Sequence, residues 1–388
     1  MNDSNRKICV VTGSRAEYGL LQPVMSALRA DERFEMQLIV TGMHLSPEFD
    51  YTVSVIENDG YEITDRVESL ISGDTPVAIS KSIGLGVIGF ADVFRRLTPD
   101  WLLILGDRFE VFAAAQVALV ANIPIAHIAG GDTTEGAFDE AIRHCITKMA
   151  HLHFVTNELS AKRVRQLGED PAAIHVVGSP GIDAIKQMKL MDREALKKDL
   201  GISFKKRNLL ITHHPVTFNP IGSIQEIEAL LSALDNFGDQ TGLFFTKANA
   251  DTFGRTINRV VEDWVSTRSN AIVFASLGQL RYLSLMNEVD VVVGNSSSGL
   301  YEAPSLHTPT VNIGDRQGGR LSAASVIHCE PEPMAIHDAI NKAFKLNVSE
   351  IENPYGAGHA TPRIIEAIAA VDDPKKLLKK RFHLVQNS

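Results

Sequence analysis

Residues 8–29 open with Ile8-Cys9-Val10-Val11, turn through Thr12-Gly13-Ser14-Arg15 and continue as an amphipathic stretch, Leu20–Arg29. An unbroken apolar run of this length suits a strand covered on both faces, as in a parallel sheet. Parallel strands need a crossover, which the amphipathic stretch supplies as a helix. The same rhythm recurs along the chain. Apolar runs fall at Met36–Val40, Trp101–Leu105, Ile123–Ile128, His153–Val155 and Ile174–Val177. They resume at Leu209–Thr212, Leu243–Phe245, Ile272–Phe274, Val289–Val293, Thr310–Ile313 and Ser325–His328. Helical patterns lie among them at Val111–Val120, Asp139–Met149, Ile224–Phe237, Leu277–Asn287 and Pro333–Phe344. Such alternation predicts an α/β protein made of βαβ units.

At 388 residues the chain exceeds the usual single core, so two domains are expected. The runs divide into two sets of six, predicting two Rossmann-like, doubly wound domains: residues 1–180 and 207–360. The stretch 181–206, with its charged helical segment Met191–Leu200, reads as a linker region. A last helix, Thr361–Val371, and the basic tail Lys375–Arg381 lie in 361–388 and could pack back onto the first domain. Two such halves facing one another would leave a cleft, with ligands at the carboxyl ends of the strands that line it.

Composition narrows the function. Apolar residues are 44% and charged residues 22%, and the net charge is −9. That charge gives no general attraction for nucleic acid or an anionic membrane, so any bound phosphate needs a local constellation. The three cysteines, Cys9, Cys145 and Cys329, are scattered, which argues for a reducing compartment and against a thiolate metal site. The apolar start, Ile8–Val11, is too short for a signal core or a membrane span. The expectation is a cytoplasmic protein with no membrane or nucleic-acid partner.

Polar clusters follow several of the predicted strands. Gly13-Ser14-Arg15-Ala16-Glu17-Tyr18-Gly19 permits a tight turn, a Ser14 cap and an Arg15 reaching a phosphate at a helix N-terminus. A solvated arginine beside a helix cap explains it equally well. The segment is not a dinucleotide fingerprint, so no nicotinamide cofactor is expected. Gly106-Asp107-Arg108-Phe109-Glu110 offers either a loop ion pair or a catalytic carboxylate beside a phosphate-binding guanidinium. The densest cluster is His127-Ile128-Ala129-Gly130-Gly131-Asp132-Thr133-Thr134-Glu135-Gly136-Ala137-Phe138-Asp139-Glu140, followed by Arg143 and His144. Its paired glycines allow close approach to backbone, and Asp139 and Glu140 also suit a helix start.

In the second half, Thr212-His213-His214-Pro215 lacks metal-ligand partners at suitable spacing, and no metal is expected. His151 and His153 read as structural. Gly294-Asn295-Ser296-Ser297-Ser298-Gly299-Leu300-Tyr301-Glu302 exposes N–H groups and hydroxyls to an anion where a helix begins. Glu302 lies where it could accept from a ribose diol, a pattern suited to a nucleoside diphosphate. Gly314-Asp315-Arg316-Gln317-Gly318-Gly319-Arg320 adds two arginines.

Taken together, Thr12–Tyr18, Gly106–Arg108, Gly130–Asp132, Asp139–His144, His214–Val216, Gly294–Gly299 and Arg316–Arg320 resemble the hydrolysing UDP-N-acetylglucosamine 2-epimerases. These enzymes open bacterial sialic-acid and related nonulosonic-acid synthesis. The resemblance covers nearly the whole chain. It implies a GT-B-like pair of domains with a UDP-sugar between them, no cofactor, and a homo-oligomer, dimer or tetramer. Carried over, Arg15 and Arg108 contact the diphosphate, Ser296 and Ser297 with neighbouring backbone at Ser298 and Gly299 hold phosphate, and Glu302 holds ribose. Asn249 lies near the nucleotide and Arg320 beside it. Asp107 and Asp139 match acidic residues of the chemistry, and His214 matches a site histidine. Asp132 and Glu140 complete the candidate set. The chain departs from non-hydrolysing relatives at Ala129, where they have a glutamate.

The implied reaction eliminates UDP to a 2-acetamidoglucal and adds water, turning UDP-N-acetylglucosamine into N-acetylmannosamine. The alternative substrate is the 2,4-diacetamido-trideoxy nucleotide of the legionaminic-acid branch. A glycosyltransferase of the same fold is the rival from another class.

Overall fold

The computed structural model of the chain describes residues 5–73, 75–134, 138–215, 220–248 and 254–385. Their contacts divide into two units, each with its own sheet. The first gathers the described residues of 5–132, 138–184 and 358–385; the second gathers those of 185–357 with Thr133 and Thr134.

In the first unit the strands are β1 (Arg6–Thr12), β2 (Phe34–Thr41), β3 (Asp65–Val67), β4 (Trp101–Leu105), β5 (Ile125–Ile128), β6 (Leu152–Val155) and β7 (Ile174–Val176). All pairs are parallel, in the order β3-β2-β1-β4-β5-β6-β7. The helices are α1 (Arg15–Ala30), α2 (Val53–Asn58), α3 (Pro76–Leu97), α4 (Phe109–Val120), α5 (Asp139–Met149), α6 (Glu158–Gln166) and α7 (Pro180–Gln187). One face of the sheet is sealed by Leu21, Val24, Met25 and Leu28 of α1, the other by Phe90, Val93 and Phe94 of α3 with Val111 and Ala114 of α4.

The second unit repeats the plan. After α8 (Arg193–Leu200) come β8 (Arg207–Thr212), α9 (Pro220–Leu234), β9 (Thr241–Thr246), α10 (Gly254–Val265), β10 (Ala271–Phe274), α11 (Gly278–Glu288) and β11 (Val291–Gly294). Then follow α12 (Ser298–Tyr301), β12 (Thr310–Ile313), β13 (Val326–Cys329) and α13 (Pro333–Ala343). The parallel order is β10-β9-β8-β11-β12-β13. Both sheets therefore reverse direction beside their first strand, between β1 and β4 and between β8 and β11. In open parallel sheets such switch points are where ligands bind.

Each of the twelve apolar runs lies in or overlaps a strand. The additional strand, β3, has three residues at a sheet edge, too few to show a pattern. The stretch 181–206 carries most of α7 and all of α8, with Ile182, Leu196 and Ile202 buried. The last helix, α14 (Ala360–Ala369), returns to the first unit, where Ile364, Ile365 and Ile368 join the core beside α1. Both of its ends are held. Asp183 accepts from the backbone N–H groups of Ala360 (3.1 Å) and Thr361 (2.6 Å). Arg6 donates to the carbonyls of Ile368 (3.1 Å), Ala369 (3.1 Å) and Val371 (2.7 Å). An acid at the start and a cation at the end satisfy orphan backbone groups and suit the helix dipole.

Candidate active site

In the first unit the candidate residues follow the carboxyl ends of β1, β4 and β5. Ser14 caps α1, accepting from the Glu17 N–H, and Arg15 is the first residue of that helix. Glu17 folds back: one carboxylate oxygen accepts from Gly13 N–H at 2.8 Å, while the other is buried without a partner. Burial, with the Glu110 carboxylate nearby, pushes the Glu17 carboxyl up to about 8. Glu110, in the first turn of α4, accepts from the Arg108 guanidinium at 3.2 and 3.3 Å. Gly42 makes room for that carboxylate: it sits at φ +59°, and a Cβ there would lie 2.7 Å from Glu110 Cγ. Glycine is needed both for the left-handed backbone and for the space.

Asp107, just beyond β4, is ion-paired with Arg143 of α5. Arg143 is buried and also donates to the Asp132 carbonyl (2.8 Å) and Glu140 (3.4 Å). Glu140 in turn meets His144 at 3.1 Å. One guanidinium thus gathers the carboxylates of Asp107 and Glu140 and the backbone of Asp132. Asp139 begins α5, half-buried. The Asp132 side chain turns toward the start of α6, where it accepts from Thr156 (2.8 Å) and Ser160. Gly131, at φ +75°, lets this loop press on α6, since a Cβ would come within 2.4 Å of the Ser160 carbonyl. Ala129 is also left-handed, at φ +63°, a strained setting for a residue with a Cβ.

Four histidines of this unit are fixed by neighbours. His127 lies 2.7 Å from the Gly106 carbonyl through Nε2, so that nitrogen carries the proton, and Nδ1 accepts from Thr147 at 3.3 Å. Burial holds its pKa near 4. It therefore acts as a neutral post under the Gly106–Asp107 turn. His44 sits between Thr12 (3.1 Å) and Thr52 (2.7 Å), with its pKa likewise lowered by burial to about 4. His151 and His153 are structural: the first accepts from Ile125 N–H at 3.1 Å, and the second is 3.0 Å from Glu169.

In the second unit the candidates surround the β8/β11 switch point. The Asn295 side chain clamps His214, accepting from its N–H at 2.7 Å and donating to its carbonyl at 2.8 Å. The pairing ties the ends of two strands distant in sequence. Burial, then Arg316 and His213, lowers the His214 pKa well below the histidine range, leaving the ring neutral. Gly294, at φ +134°, permits the tight turn; a Cβ would fall 1.9 Å from the Thr212 carbonyl. The Asn295 carbonyl accepts from Arg316 (3.0 Å) and Gln317 (2.8 Å), so the turn after β11 is locked to the arginine-bearing turn after β12.

The helix after the serines is a single turn, Ser298–Tyr301, followed by a tighter one at Ala303–Leu306. One turn sums few peptide dipoles, so the donors here are individual N–H groups and hydroxyls. Ser296 Oγ accepts from Ser298 Oγ at 3.0 Å, and Tyr282 meets Ser298 at 2.6 Å. Glu302 has one buried oxygen without a partner, and burial raises its carboxyl to about 7. Arg320 donates to the Thr133 carbonyl (2.6 Å), Thr134 (2.7 Å) and Gln317 (2.7 Å). Asn249 and Val216 lie outside the described residues.

The sequence reading did not single out Glu17, Glu110, His44, Tyr282 or Asn295 as site residues. Glu17, Glu110 and Asn295 stood inside quoted clusters, but their burial and their partners come only from the fold. His44 and Tyr282 stand in no motif at all.

Comparisons with known proteins identify the family. The sequence profile of the family described as UDP-N-acetylglucosamine 2-epimerase matches residues 26–369. The chain is 41% identical, over 89% of its length and 90% of the relative's, to the GDP/UDP-N,N'-diacetylbacillosamine 2-epimerase (hydrolyzing) of Campylobacter jejuni. It is 37% identical to the polysialic acid biosynthesis protein P7 of Escherichia coli, over 97% of this chain and 96% of that one. Among solved structures, the UDP-GlcNAc 2-epimerase of Neisseria meningitidis bound to UDP-GlcNAc superposes with a TM-score of 0.81 at 21% identity, over 94% of this chain and 99% of that one. The fold is therefore the two-sheet α/β class expected from the sequence. The chain belongs to the UDP-N-acetylglucosamine 2-epimerase family, on its hydrolysing side, and is an enzyme acting on a nucleotide sugar.

Proposed function

We propose that the chain hydrolyses a UDP-linked 2-acetamido sugar with inversion at C2. What carries this reading is the Asp107–Arg143–Glu140 group at the carboxyl end of β4: a carboxylate held in place, beside further acids, at a ligand-binding edge. The C2 proton is not next to a carbonyl, so a base removes it only as the C1–O bond to UDP breaks. Asp107, with Asp139 as the second acid, takes that proton, giving the 2-acetamidoglucal and UDP. Water then adds, hydroxide to C1 and a proton to C2 from the opposite face. Glu140 or His214 serves that second step.

Leaving-group charge needs preorganised donors. Arg15 and Arg108 serve the diphosphate, Ser296 and Ser297 with the N–H groups of Ser298 and Gly299 serve phosphate, and Glu302 serves the ribose diol. Arg320 and Asn249 complete the nucleotide contacts. Asp132, engaged by Thr156 and Ser160, shapes the loop at Gly131. For the sugar, the 41%-identical relative favours the 2,4-diacetamido-2,4,6-trideoxy nucleotide over UDP-N-acetylglucosamine. The 37%-identical relative of polysialic acid biosynthesis keeps the second substrate in view.

Proton NMR in deuterated water, with either nucleotide and no acceptor, tests both parts. The expected result is UDP with a C2-deuterated, C2-inverted free sugar, formed faster from the 2,4-diacetamido nucleotide. UDP release only when a sugar acceptor is added would replace this reading with a glycosyltransferase.

A further inference from the structure

Two buried acids pack against the Gly13 turn of the first unit and have no part in the proposed reaction. Glu17, in the first turn of α1, is 4% exposed, and Glu110, in the first turn of α4, is 2% exposed. Gly13 lies between them. Its N–H donates to Glu17 at 2.8 Å, and a Cβ on it would lie 3.0 Å from Glu110 Cβ and 3.4 Å from Glu110 Cδ. The Gly13 carbonyl is held as well, accepting from Met43 N–H at 2.9 Å. Glu17 Oε1 is buried without a hydrogen-bond partner, a setting that suits a neutral carboxyl better than a carboxylate. Glu110 accepts from Nε and Nη2 of Arg108, whose side chain is 32% exposed. Burial is the main influence on Glu17; the Gly13 N–H pulls its pKa down, Glu110 pushes it up and Arg108 lowers it. His44, from the turn after β2, is neutral in its buried site and feels both Arg15 and Arg108. The Tyr18 hydroxyl turns to Asp59 at 2.6 Å.

We propose that Glu17 and Glu110 form a proton-holding pair that couples diphosphate binding to the uptake of one proton from solvent, carried on Glu17. The proposal rests on the reading that Arg15 and Arg108 receive the diphosphate. An arriving diphosphate sets new negative charge beside two buried acids and draws on the guanidinium that Glu110 uses. A buried carboxyl that gains an anionic neighbour, or shares its cation with one, holds a proton more tightly. Neutral Glu17 still accepts from Gly13 N–H through one oxygen, so the turn keeps its shape while the second oxygen carries the proton. Both acids are therefore positioning residues: they touch the turn and Arg108, not the substrate. The direction of the pH dependence follows. In the empty site Glu17 titrates near 8, so below that value the proton is already present and little is taken up. Above it the empty site is charged, and binding has to bring the proton in. Affinity for a diphosphate then falls as pH rises, by up to about tenfold per pH unit for one proton.

Calorimetric titration of the full chain with UDP, slightly above pH 8 and in two buffers of different ionisation enthalpy, tests the proposal. The difference in heat between the buffers counts the protons taken up. At this pH the phosphates of UDP are fully ionised, and a cationic site only favours that form, so the nucleotide does not supply the signal. The wild type should take up roughly half a proton or more per UDP, and its Kd should climb toward the tenfold-per-unit slope as pH rises further. Glu17→Gln keeps the acceptor for Gly13 and removes the titration; its uptake should vanish and its Kd should be flat over the same range. Infrared difference spectra of the wild type, which need no variant, should show a protonated carboxyl gained when UDP binds. UDP binding without proton uptake overturns the proposal and leaves the nucleotide-sugar reading standing. Uptake that persists in folded Glu17→Gln overturns it too. A chain that does not bind UDP at all sinks the nucleotide-sugar reading and the proposal together.

Discussion

At the residue scale, the candidate site is a set of ionisable groups whose behaviour is decided by what surrounds them. Asp107 is paired, so replacing it by Asn removes a base while leaving an amide that can still accept from Arg143. The expected outcome is a loss of about a hundredfold or more in kcat, the usual scale for a proton-transfer group, with UDP affinity little changed. Steady-state kinetics alongside UDP titration would reveal it. Glu17 has the opposite character: its raised pKa reports a charge the fold does not favour. Its folded value lies above the unfolded one, so its stability contribution is present below the ordinary carboxylate range. That contribution fades as pH rises toward about 8. Glu17→Gln keeps an acceptor for Gly13 and removes the titration. Its Tm should match the wild type near pH 5 and exceed it above pH 8. A pH-independent difference would contradict the argument. His127, with its lowered value, works the other way: its contribution is lost as pH falls from the histidine range toward about 4.

At the element scale, backbone geometry sets the turns between strands and helices, after β11 at Gly294 and at the end of α8 at Gly201. Gly294 and Gly201 are both left-handed, at φ +134° and +66°, yet a Cβ at Gly201 meets nothing while one at Gly294 falls 1.9 Å from a carbonyl oxygen. Gly201→Ala should cost about 1 kcal/mol. Gly294→Ala should cost several times more and loosen the clamp between Asn295 and His214. Urea unfolding of the two variants compares them directly. α14 gives a second case, because its N-terminus depends on one carboxylate far away in sequence. Asp183→Ala should destabilise the first unit by about 1–2 kcal/mol, the usual cost of a lost cap. Asp183→Asn, which keeps an acceptor, should cost less. Thermal unfolding followed by circular dichroism measures both.

At the scale of the whole molecule, burial should sort the three thiols. Cys145 is exposed, Cys329 is intermediate with its pKa raised to about 11, and Cys9 is buried in β1 with its pKa raised further. A thiol-specific reagent should therefore label Cys145 at once, Cys329 slowly and Cys9 only on unfolding, since the thiolate is the reactive form. Early labelling of Cys9 would mean that the first sheet opens under native conditions.

The sequence by itself determined the class of fold, because strands buried on both faces must be written as continuous apolar runs. Trp101–Leu105 and Thr310–Ile313 therefore coincide with β4 and β12 from end to end. It also marked most of the candidate residues, since the polar loops of a parallel sheet follow directly on its strands. It left α3 unmarked, although that helix is as one-sided in its apolar spacing as α13, which was marked. Nor could it pair residues across the sheets. Arg143 with Asp107, Asn295 with His214 and Asp183 with the start of α14 join positions separated by dozens of residues or more. Which strand ends lie side by side is decided by the order of strands in each sheet. The protonation of Glu17, His127 and Glu302 follows from that packing, because burial acts only once the neighbours are in place.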